Sequence, residues 1–546
     1  FIYSYYILGK IFLALGNFSE AENATKKAID SNNQFAAAHF SLGIIFSNQN
    51  KIDLALDATT KAIEINPNFA EAYLNLGIFL SEKGEYKAAE DVTKKSIELN
   101  PNIYLSYSNL SGILKKIGKL FEAEFYARRA IEIGKNEALG YFNLSQILQD
   151  LGKLKEAEKM LRKAIKLNKN YAEAFMSLGV VLKDQGHLLE SEKFLLKAIK
   201  LDKNCISAYF VLSTLKLKTK NASWQKFLLD FNALDNLNLN DKINFYFAKS
   251  NIQHQKKNFS ESSESLKLGN DFKLKRSSSN KERMLLKSQE LLEETKRIAY
   301  KKKNLDRVVK NIFIVGMPRC GSTLLESILS NNPDVLDLSE RNIFEESYIE
   351  WKEEFKLNSN AHLNDFYSRK VNEVRNGSIV STNKFLYNYQ YAGIISQLLE
   401  NSIIIHCYRN PLDNILSIYR SNFSKLNEYS SSLEDCAEVY IDHAKVMDIY
   451  KKKYPELIYS LNYDKLVTQP EIEIKILISK LGWKWNEIFL SPELNKRNVS
   501  TASSVQVRSP INPKSLNGWK NYVKLLKPAM EILKREKMYE DLFNNK

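Results

Sequence analysis

The sequence predicts two architectures in one chain: an all-α repeat array in the first two fifths, followed by an α/β domain with a parallel sheet. Small and apolar residues recur with a period of 34 from the first residue to about Leu217. Strand-like apolar runs alternate with helical segments from about Val308 onward, and a glycine-containing turn joins the first run to a helix. A chain of 546 residues is long enough for about two or three domains.

The 34-residue period appears in several independent columns of the sequence. Each repeat carries a leucine followed by a small residue, and then a residue suited to a left-handed turn. The leucines are Leu8, Leu42, Leu76, Leu110, Leu144, Leu178 and Leu212, and the turn residues are Gly16, Asn50, Gly84, Gly118, Gly152 and Gly186. A unit of this length buries its apolar face only against its neighbours, so the columns indicate a solenoid of paired helices.

These columns resemble the tetratricopeptide repeat, and about six repeats are expected over residues 1–218. The resemblance implies a concave groove that binds a peptide or protein partner. A rigid spacer or a dimerisation surface is the alternative. Residues 219–307 are interpreted as a degenerate repeat and a charged helical linker, and residues 308–546 as the second domain.

The most specific segment is the turn that opens the second domain. A strand-like run from Ile312 leads into a loop between Gly316 and Gly321, and helical spacing follows from Leu324 to Leu329. Loop amides and a helix N-terminus together favour a phosphate or sulfate, and Arg319 adds a fixed cation. The spacing matches a P-loop, but Ser322 stands where the phosphate-binding lysine belongs. A plain glycine turn is the alternative.

The loop reads P-R-C-G-S-T over residues 318–323 and resembles the loop with which sulfotransferases grip the 5′-phosphosulfate of PAPS (3′-phosphoadenosine 5′-phosphosulfate). The resemblance implies that the second domain is a P-loop-like sulfotransferase domain and that PAPS is its sulfuryl donor. It assigns donor contacts to Arg319, Cys320, Gly321, Ser322 and Thr323. Arg319 is also expected to act in catalysis.

A second candidate phosphate site follows the apolar run at 402–407. Arg409 lies just after this run, and Ser417 lies eight positions further on, in a predicted helix. The pair resembles the sulfotransferase motif that holds the 3′-phosphate of PAPS, a group that distinguishes PAPS from ATP. Asn410 replaces the aspartate common in the family. The alternative is an ordinary surface or salt-bridge arginine.

Two further residues are assigned to catalysis by the resemblance. Glu340 corresponds to the base of tyrosylprotein sulfotransferases, which takes the acceptor hydroxyl proton. Its alternative is an acid at a helix N-terminus. Lys384 corresponds to the lysine that stabilises charge on the leaving phosphate, although Asn383 before it departs from the family pattern. Its alternative is a solvated surface lysine.

Three positions near the end of the chain complete the expected site. Tyr463 resembles the tyrosine placed near the donor at a strand end, with a half-buried strand tyrosine as the alternative. Ser503 and Arg508 match a transition-state serine and a basic phosphate contact in a late loop that covers PAPS. An ordinary serine-rich loop is the alternative, and Gly518 replaces a basic residue usual in the family.

Composition narrows the remaining function classes. The formal net charge is +15, but the lysines are scattered along helical faces, so nucleic-acid binding is not expected. The four cysteines form no CxxC pair and the six histidines are scattered, which predicts a reducing compartment and no metal site. No apolar run is long enough for a membrane span. We therefore expect a cytoplasmic protein, or a Golgi-lumen one in a eukaryote.

Taken together, the resemblance predicts a PAPS-dependent sulfotransferase that modifies an acceptor hydroxyl, with protein tyrosine as the first candidate acceptor. In-line transfer at sulfur requires positioning and charge neutralisation rather than covalent chemistry. The repeats are expected to recruit the acceptor or a partner. Two alternatives stay open: a nucleotide kinase or NTPase, and a non-catalytic tetratricopeptide scaffold.

Overall fold

The computed structural model describes residues 1–215, 223–231, 234–298, 309–374, 377–423, 427–495, 497, 499, 501 and 503–544. The chain divides into two compact units, one of residues 1–181 with 200–202 and the other of residues 182–199 with 203–546. The domain boundaries expected at 218/219 and 307/308 lie outside the described residues, and they stay predictions.

The chain begins with an all-helical repeat array, as the 34-residue period predicts. Its helices are α1 (Ile2–Ala14), α2 (Phe18–Ser31), α3 (Ala36–Asn48), α4 (Ile52–Ile65), α5 (Ala70–Lys83), α6 (Tyr86–Leu99), α7 (Tyr104–Lys116), α8 (Leu120–Ile133), α9 (Ala138–Asp150), α10 (Leu154–Leu167), α11 (Ala172–Gln185) and α12 (Leu188–Leu201). Consecutive helices from α1 to α10 pack against each other.

The recurring spacing of small and turn residues has a direct physical cause in these helices. Gly84 ends α5 with a φ of 88°, and Asn50 has a φ of 58°, so both occupy the left-handed region that the turn requires. A Cβ placed on Gly77 of α5 would clash with Thr93 on α6. The small-residue column is therefore needed because paired helices cross closely.

Five more helices precede the first strand in the described residues. They are α13 (Ile206–Thr214), α14 (Ser223–Leu229), α15 (Leu239–Gln255), α16 (Phe259–Arg276) and α17 (Glu282–Arg297). Phe247 and Met284 of this group share a buried core with Leu412 and Tyr522 from later in the chain. The described part of the segment interpreted as a linker is therefore a packed layer of the second unit.

The second unit is built on a five-stranded parallel sheet, as the alternating pattern predicts. The strands are β1 (Asn311–Gly316), β2 (Val335–Asp337), β3 (Val380–Asn383), β4 (Ser402–Tyr408) and β5 (Ile458–Asn462), in the order β2-β3-β1-β4-β5. Phe313 and Ile312 of the central strand enter different apolar cores, because successive side chains point to opposite faces. All five carboxyl ends lie at one edge, where ligands of such sheets bind.

Helices connect and cover these strands. They are α18 (Ser322–Leu329), α19 (Ile343–Leu357), α20 (Leu363–Asn372), α21 (Ala392–Leu398), α22 (Pro411–Tyr419), α23 (Leu433–Lys453), α24 (Tyr463–Thr468), α25 (Pro470–Lys480), α26 (Val523–Leu533) and α27 (Glu540–Asn544). Short 3-10 helices include Gln506–Arg508 and Gly518–Tyr522. Among the helices of the described ranges, none combines the length and apolarity that a bilayer crossing requires.

Candidate functional site at the carboxyl edge of the sheet

The loop between β1 and α18 has the backbone geometry of a tight anion site. Gly316 has a φ of 151°, and a Cβ there would clash with the carbonyl oxygen of Cys407 on the neighbouring strand. Gly321 has a φ of 100° and would clash with the ring of Tyr463. Arg319 is itself left-handed, with a φ of 69°. The two glycines are therefore required by close approach as well as by backbone conformation.

The Arg319 side chain links three segments of the second unit. Its Nε donates to Ser417 Oγ on α22 at 3.0 Å, and its Nη2 donates to Gln506 Oε1 at 2.9 Å. Its Nη1 donates to Ser503 Oγ. Within the part of the chain that the structure describes, no carboxylate pairs with Arg319. Burial, followed by the charge of Arg409, lowers the pKa of Arg319 to about 10, so this cation lacks electrostatic compensation.

The second cation, Arg409, lies just past β4 and adjoins the same loop. It is 7% exposed, its Nη1 donates to the Arg319 carbonyl at 3.4 Å, and its Nη2 donates to the Ser515 carbonyl at 3.1 Å. Its guanidinium lies over the Tyr463 ring, 4.8 Å from the centroid. Its Nε is buried without a hydrogen-bond partner. The structure therefore brings the two expected phosphate motifs into one place. Arg409 is not a surface arginine, but its Nη2 lies 3.8 Å from Asp413 Oδ2, so the salt-bridge alternative stays open.

Asn410 begins α22 and explains one departure from the family pattern. Its side chain accepts hydrogen bonds from Leu412 N at 3.0 Å and Asp413 N at 3.2 Å, so it caps the helix. Asparagine and aspartate are equally good caps. Asp413 accepts in turn from Asn517 N and Trp519 N, on either side of Gly518. This contact fixes the late segment beside Arg409.

A second cluster lies at the ends of β2 and β3. Lys384 is fully buried, and its Nζ donates to Glu340 Oε1 at 2.7 Å. It also lies 3.5 Å from Glu326 Oε2, so the solvated-lysine alternative is wrong. Burial tends to lower the pKa of Lys384, but the charges of Glu326 and Glu340 outweigh it and raise the pKa overall. Glu340 does not cap α19, because the N-cap of that helix is Asn342.

Of the remaining expected site residues, Arg508 alone lies away from the loop that carries Arg319. Tyr463 begins α24 rather than lying within a strand, and its hydroxyl is 2.9 Å from Ser515 Oγ. Thr323 Oγ1 lies 3.4 Å from Thr501 Oγ1. Burial tends to raise the pKa of the Cys320 thiol, but the neighbouring Cys407 and Ser322 outweigh this effect and lower the pKa overall. Arg508 instead donates to the backbone carbonyls of Asn495, Arg497 and Asp184, and the structure does not bring its guanidinium to Arg319 or Arg409.

Sequence reasoning missed several residues of this site. Glu326 is fully buried on α18 and pairs with both Lys384 and Arg497. Asp337 also pairs with Arg497. The available signal for Glu326 was a charged residue on the apolar face of the helix that follows the anion loop. No group of three or more histidine, cysteine, aspartate or glutamate side chains among the described residues could hold a metal ion.

Comparison with protein families agrees with this geometry. Residues 311–487 match the model described as the sulfotransferase family. Residues 2–35, 36–69, 58–91, 138–171 and 172–205 match models of the tetratricopeptide repeat. The chain therefore carries a sulfotransferase family domain that follows a tetratricopeptide array in the sequence, and the expected fold class is confirmed.

Three curated proteins illustrate the similarity. An uncharacterized protein of Aquifex aeolicus (strain VF5) is 30% identical over 41% of this chain and 32% of its own length. A putative protein-tyrosine sulfotransferase of Caenorhabditis briggsae is 23% identical over 38% of this chain and 80% of its own. The protein-tyrosine sulfotransferase of Drosophila melanogaster is 23% identical over 39% of this chain and 48% of its own length. The chain thus spans about a third of the first of these relatives and about half of the third.

Solved structures add little to the assignment. The APC/C hetero-tetramer Cut9–Hcn1 is 20% identical, covers 39% of this chain and 42% of that chain, and has a TM-score of 0.37. A similarity at this level carries no argument about function.

Proposed function

We propose that the protein transfers a sulfuryl group from PAPS to an acceptor hydroxyl, with a protein tyrosine as the first candidate acceptor. The observation that carries this proposal is the contact between Arg319, in the loop that resembles the phosphosulfate site, and Ser417, in the motif that resembles the 3′-phosphate site. Two phosphate-binding segments that share one contact can hold the two ends of one bisphosphorylated nucleotide.

The residues present fit such a donor. Arg319 is a partly buried cation without a carboxylate partner in the described residues, and Arg409 has a buried, unpartnered Nε. Both features are costly unless an anion occupies the site. Arg319 and the amides of residues 319–323 would hold the phosphosulfate, whereas Arg409 and Ser417 would hold the 3′-phosphate. PAPS, when bound, supplies the sulfuryl group and leaves as adenosine 3′,5′-bisphosphate.

The chain's own residues supply proton transfer and charge compensation. Glu340 has a side chain that is 51% exposed, so an acceptor hydroxyl can reach it. In this proposal its carboxylate takes the hydroxyl proton as the new O–S bond forms. Lys384 holds this carboxylate from a fully buried position, and its charge offsets negative charge that develops beside it. Ser503 fixes Arg319, and Tyr463 supports Arg409.

The acceptor is inferred from the names of two relatives and from the repeats, and the compartment is inferred from the buried thiols. The Caenorhabditis and Drosophila relatives are named as protein-tyrosine sulfotransferases, which favours tyrosine over other hydroxyls. Tetratricopeptide repeats suggest protein–protein interaction, so the array is the candidate recruiter of a peptide acceptor or a partner. Cys320, Cys407 and Cys436 are buried thiols, which fits a reducing compartment such as the cytoplasm.

The test of the activity is transfer of labelled sulfate from PAPS to a pool of tyrosine-containing peptides. Glu340→Gln should lower transfer at least about a hundredfold, the lower range for a lost general base. The matched control is Glu353→Gln, because Glu353 forms only an exposed pair with Lys356. Undiminished transfer by Glu340→Gln would remove this residue from the mechanism, and no transfer by the wild type would leave the scaffold alternative.

Calorimetry separates the donor classes. Adenosine 3′,5′-bisphosphate should bind at least about tenfold more tightly than ATP with magnesium, because only the former presents a 3′-phosphate to Arg409. Tighter binding of ATP would favour the kinase alternative. Recruitment by the repeats is tested with the full chain, whose KM should be lower for a peptide tyrosine than for a small phenol. Equal KM values would contradict recruitment.

A further inference from the structure

One carboxylate oxygen of Glu326 contacts two cations of the candidate site, Lys384 and Arg497. Glu326 lies in the second turn of α18, and its side chain is 1% exposed. Its Oε2 is 3.5 Å from Lys384 Nζ and 2.9 Å from Arg497 Nη1. A single buried oxygen thus attracts two cations, one beside the candidate base and the other in the late segment of the chain.

Arg497 anchors the late segment to the same helix. Its Nη2 donates to the Thr323 carbonyl at 3.3 Å and to Ser327 Oγ at 3.2 Å, both on α18. Its Nη1 also pairs with Asp337 at the end of β2. Asn495 adds a hydrogen bond from its side chain to the Ser327 carbonyl at 3.1 Å. Asn495 and Arg497 are therefore held against α18 before the chain reaches Ser503.

Through these contacts, the groups of the proposed reaction are all positioned relative to α18. The anion loop ends where α18 begins, so Glu326 moves with the loop that holds Arg319. Lys384 connects Glu326 to Glu340, and Arg497 connects Glu326 to the segment that carries Ser503. A displacement of about 1 Å at a reacting group can lower the rate a hundredfold. Fixed distances from α18 to these groups are therefore important for the transfer rate.

We propose that Glu326 is a positioning residue that sets the distance between the anion loop and the Glu340–Lys384 pair, and that Arg497 seats the Ser503 segment against the same carboxylate. This inference rests on the proposed sulfotransferase function. Glu326 does not touch the acceptor or the donor in this proposal. It acts through Lys384 and Arg497.

The charge state of Glu326 predicts a pH dependence of kcat that a purely structural role would not produce. Burial raises the pKa of Glu326 to about 7, although the charges of Lys384 and Arg497 act in the opposite direction and that of Asp337 raises it further. Protonation near neutral pH therefore removes the charge that both cations share. The kcat of the wild type should fall below about pH 7, and this part of the pH profile should be absent in Glu326→Gln.

The experiment compares Glu326→Gln with the exposed control Glu353→Gln in the full chain. For Glu326→Gln we expect kcat at pH 8 to fall about ten- to a hundredfold, with the dissociation constant of adenosine 3′,5′-bisphosphate changed by less than about threefold. The control should match the wild type. An unchanged kcat would overturn the proposal. A matching loss of bisphosphate affinity would overturn it too, because Glu326 would then be a binding or folding residue.

A second variant guards against misfolding. Arg497→Lys keeps the charge but cannot reach both Glu326 and the Thr323 carbonyl, so amide exchange should rise in peptides covering residues 495–508 and kcat should fall. The matched control is Arg369→Lys, since Arg369 forms an exposed pair with Glu350. If the wild type neither binds the bisphosphate nor transfers sulfate, the proposed function fails. Amide exchange then decides separately whether Arg497 seats the segment, and unchanged exchange would overturn that part.

Discussion

Arg319 and Ser417 are 98 positions apart in the chain, yet Arg319 Nε lies 3.0 Å from Ser417 Oγ. The contact exists because β1 and β4 are adjacent parallel strands, paired from Asn311 with Ser402 to Gly316 with Cys407. The loop after β1 and the helix after β4 must therefore emerge side by side. Strand adjacency, rather than either motif alone, creates the candidate donor site.

Arg319→Lys should weaken binding of adenosine 3′,5′-bisphosphate by about ten- to a hundredfold. Lysine keeps the charge but loses the planar fork that reaches Ser417, Ser503 and Gln506 together. A lost hydrogen bond to a charged group is worth about 1.5–3 kcal/mol, which corresponds to that range. Calorimetry measures the affinity, with Arg369→Lys as the surface control. Retained affinity would show that Arg319 serves only to hold the late segment.

Gly316→Ala should destabilise the second unit more than Gly482→Ala. Both glycines are left-handed, so both substitutions incur about 1–2 kcal/mol of backbone strain. A Cβ at Gly316 also meets the Cys407 carbonyl, whereas a Cβ at Gly482 meets open space. All five tryptophans lie after residue 203. Urea unfolding followed by tryptophan fluorescence therefore reports on this unit, and equal losses would contradict the clash.

The repeat period and the two loop motifs could be predicted because they are local in sequence. Gly316 and Gly321 sit where a strand gives way to a helix, and each needs its glycine for backbone reasons visible in the pattern. Lys384 could be placed at a strand end, but not its complete burial, because burial depends on which segments pack over it. The ion pair between Lys384 and Glu340 spans 44 positions and follows from the adjacency of β2 and β3.

The late segment shows where sequence reasoning fails. Arg508 matched a motif position, yet its guanidinium donates to the backbone carbonyls of Asn495, Arg497 and Asp184. Arg497 carried no motif, yet it pairs with the buried Glu326 and the partly buried Asp337. The directions of these two side chains depend on tertiary contacts. Periodicity gives no information about them.

Asn410→Ala should lower the free energy of unfolding of the second unit by about 1 kcal/mol, since it removes the side-chain cap of α22. Asn410→Asp restores the residue usual in the family and keeps both cap hydrogen bonds. It should therefore change stability by less than about 0.5 kcal/mol. The same fluorescence measurement tests both variants. A similar loss in both would mean that the amide nitrogen of Asn410, rather than its capping oxygen, stabilises the helix.

Two buried histidines should make the second unit sensitive to acid. His406 on β4 and His443 on α23 place their Nε2 atoms 3.0 Å apart, and both Nδ1 atoms lack a partner. Burial lowers the pKa of His443 to about 3, and burial together with the charge of His443 holds the pKa of His406 well below its usual range. Both side chains are therefore neutral in the folded protein at neutral pH.

The sign of the effect follows from proton binding. Below about pH 6.5 the unfolded chain protonates these histidines and the folded chain does not, so stability falls as pH decreases toward about 3. Each histidine contributes a slope of about 1.4 kcal/mol per pH unit in this window, and none above it. In the double variant His406→Leu/His443→Leu, this part of the acid sensitivity should disappear. Unfolding free energies at pH 8, 6 and 5 measure it, with the exposed His362→Leu as control. An unchanged slope in the double variant would mean that other groups cause the acid sensitivity.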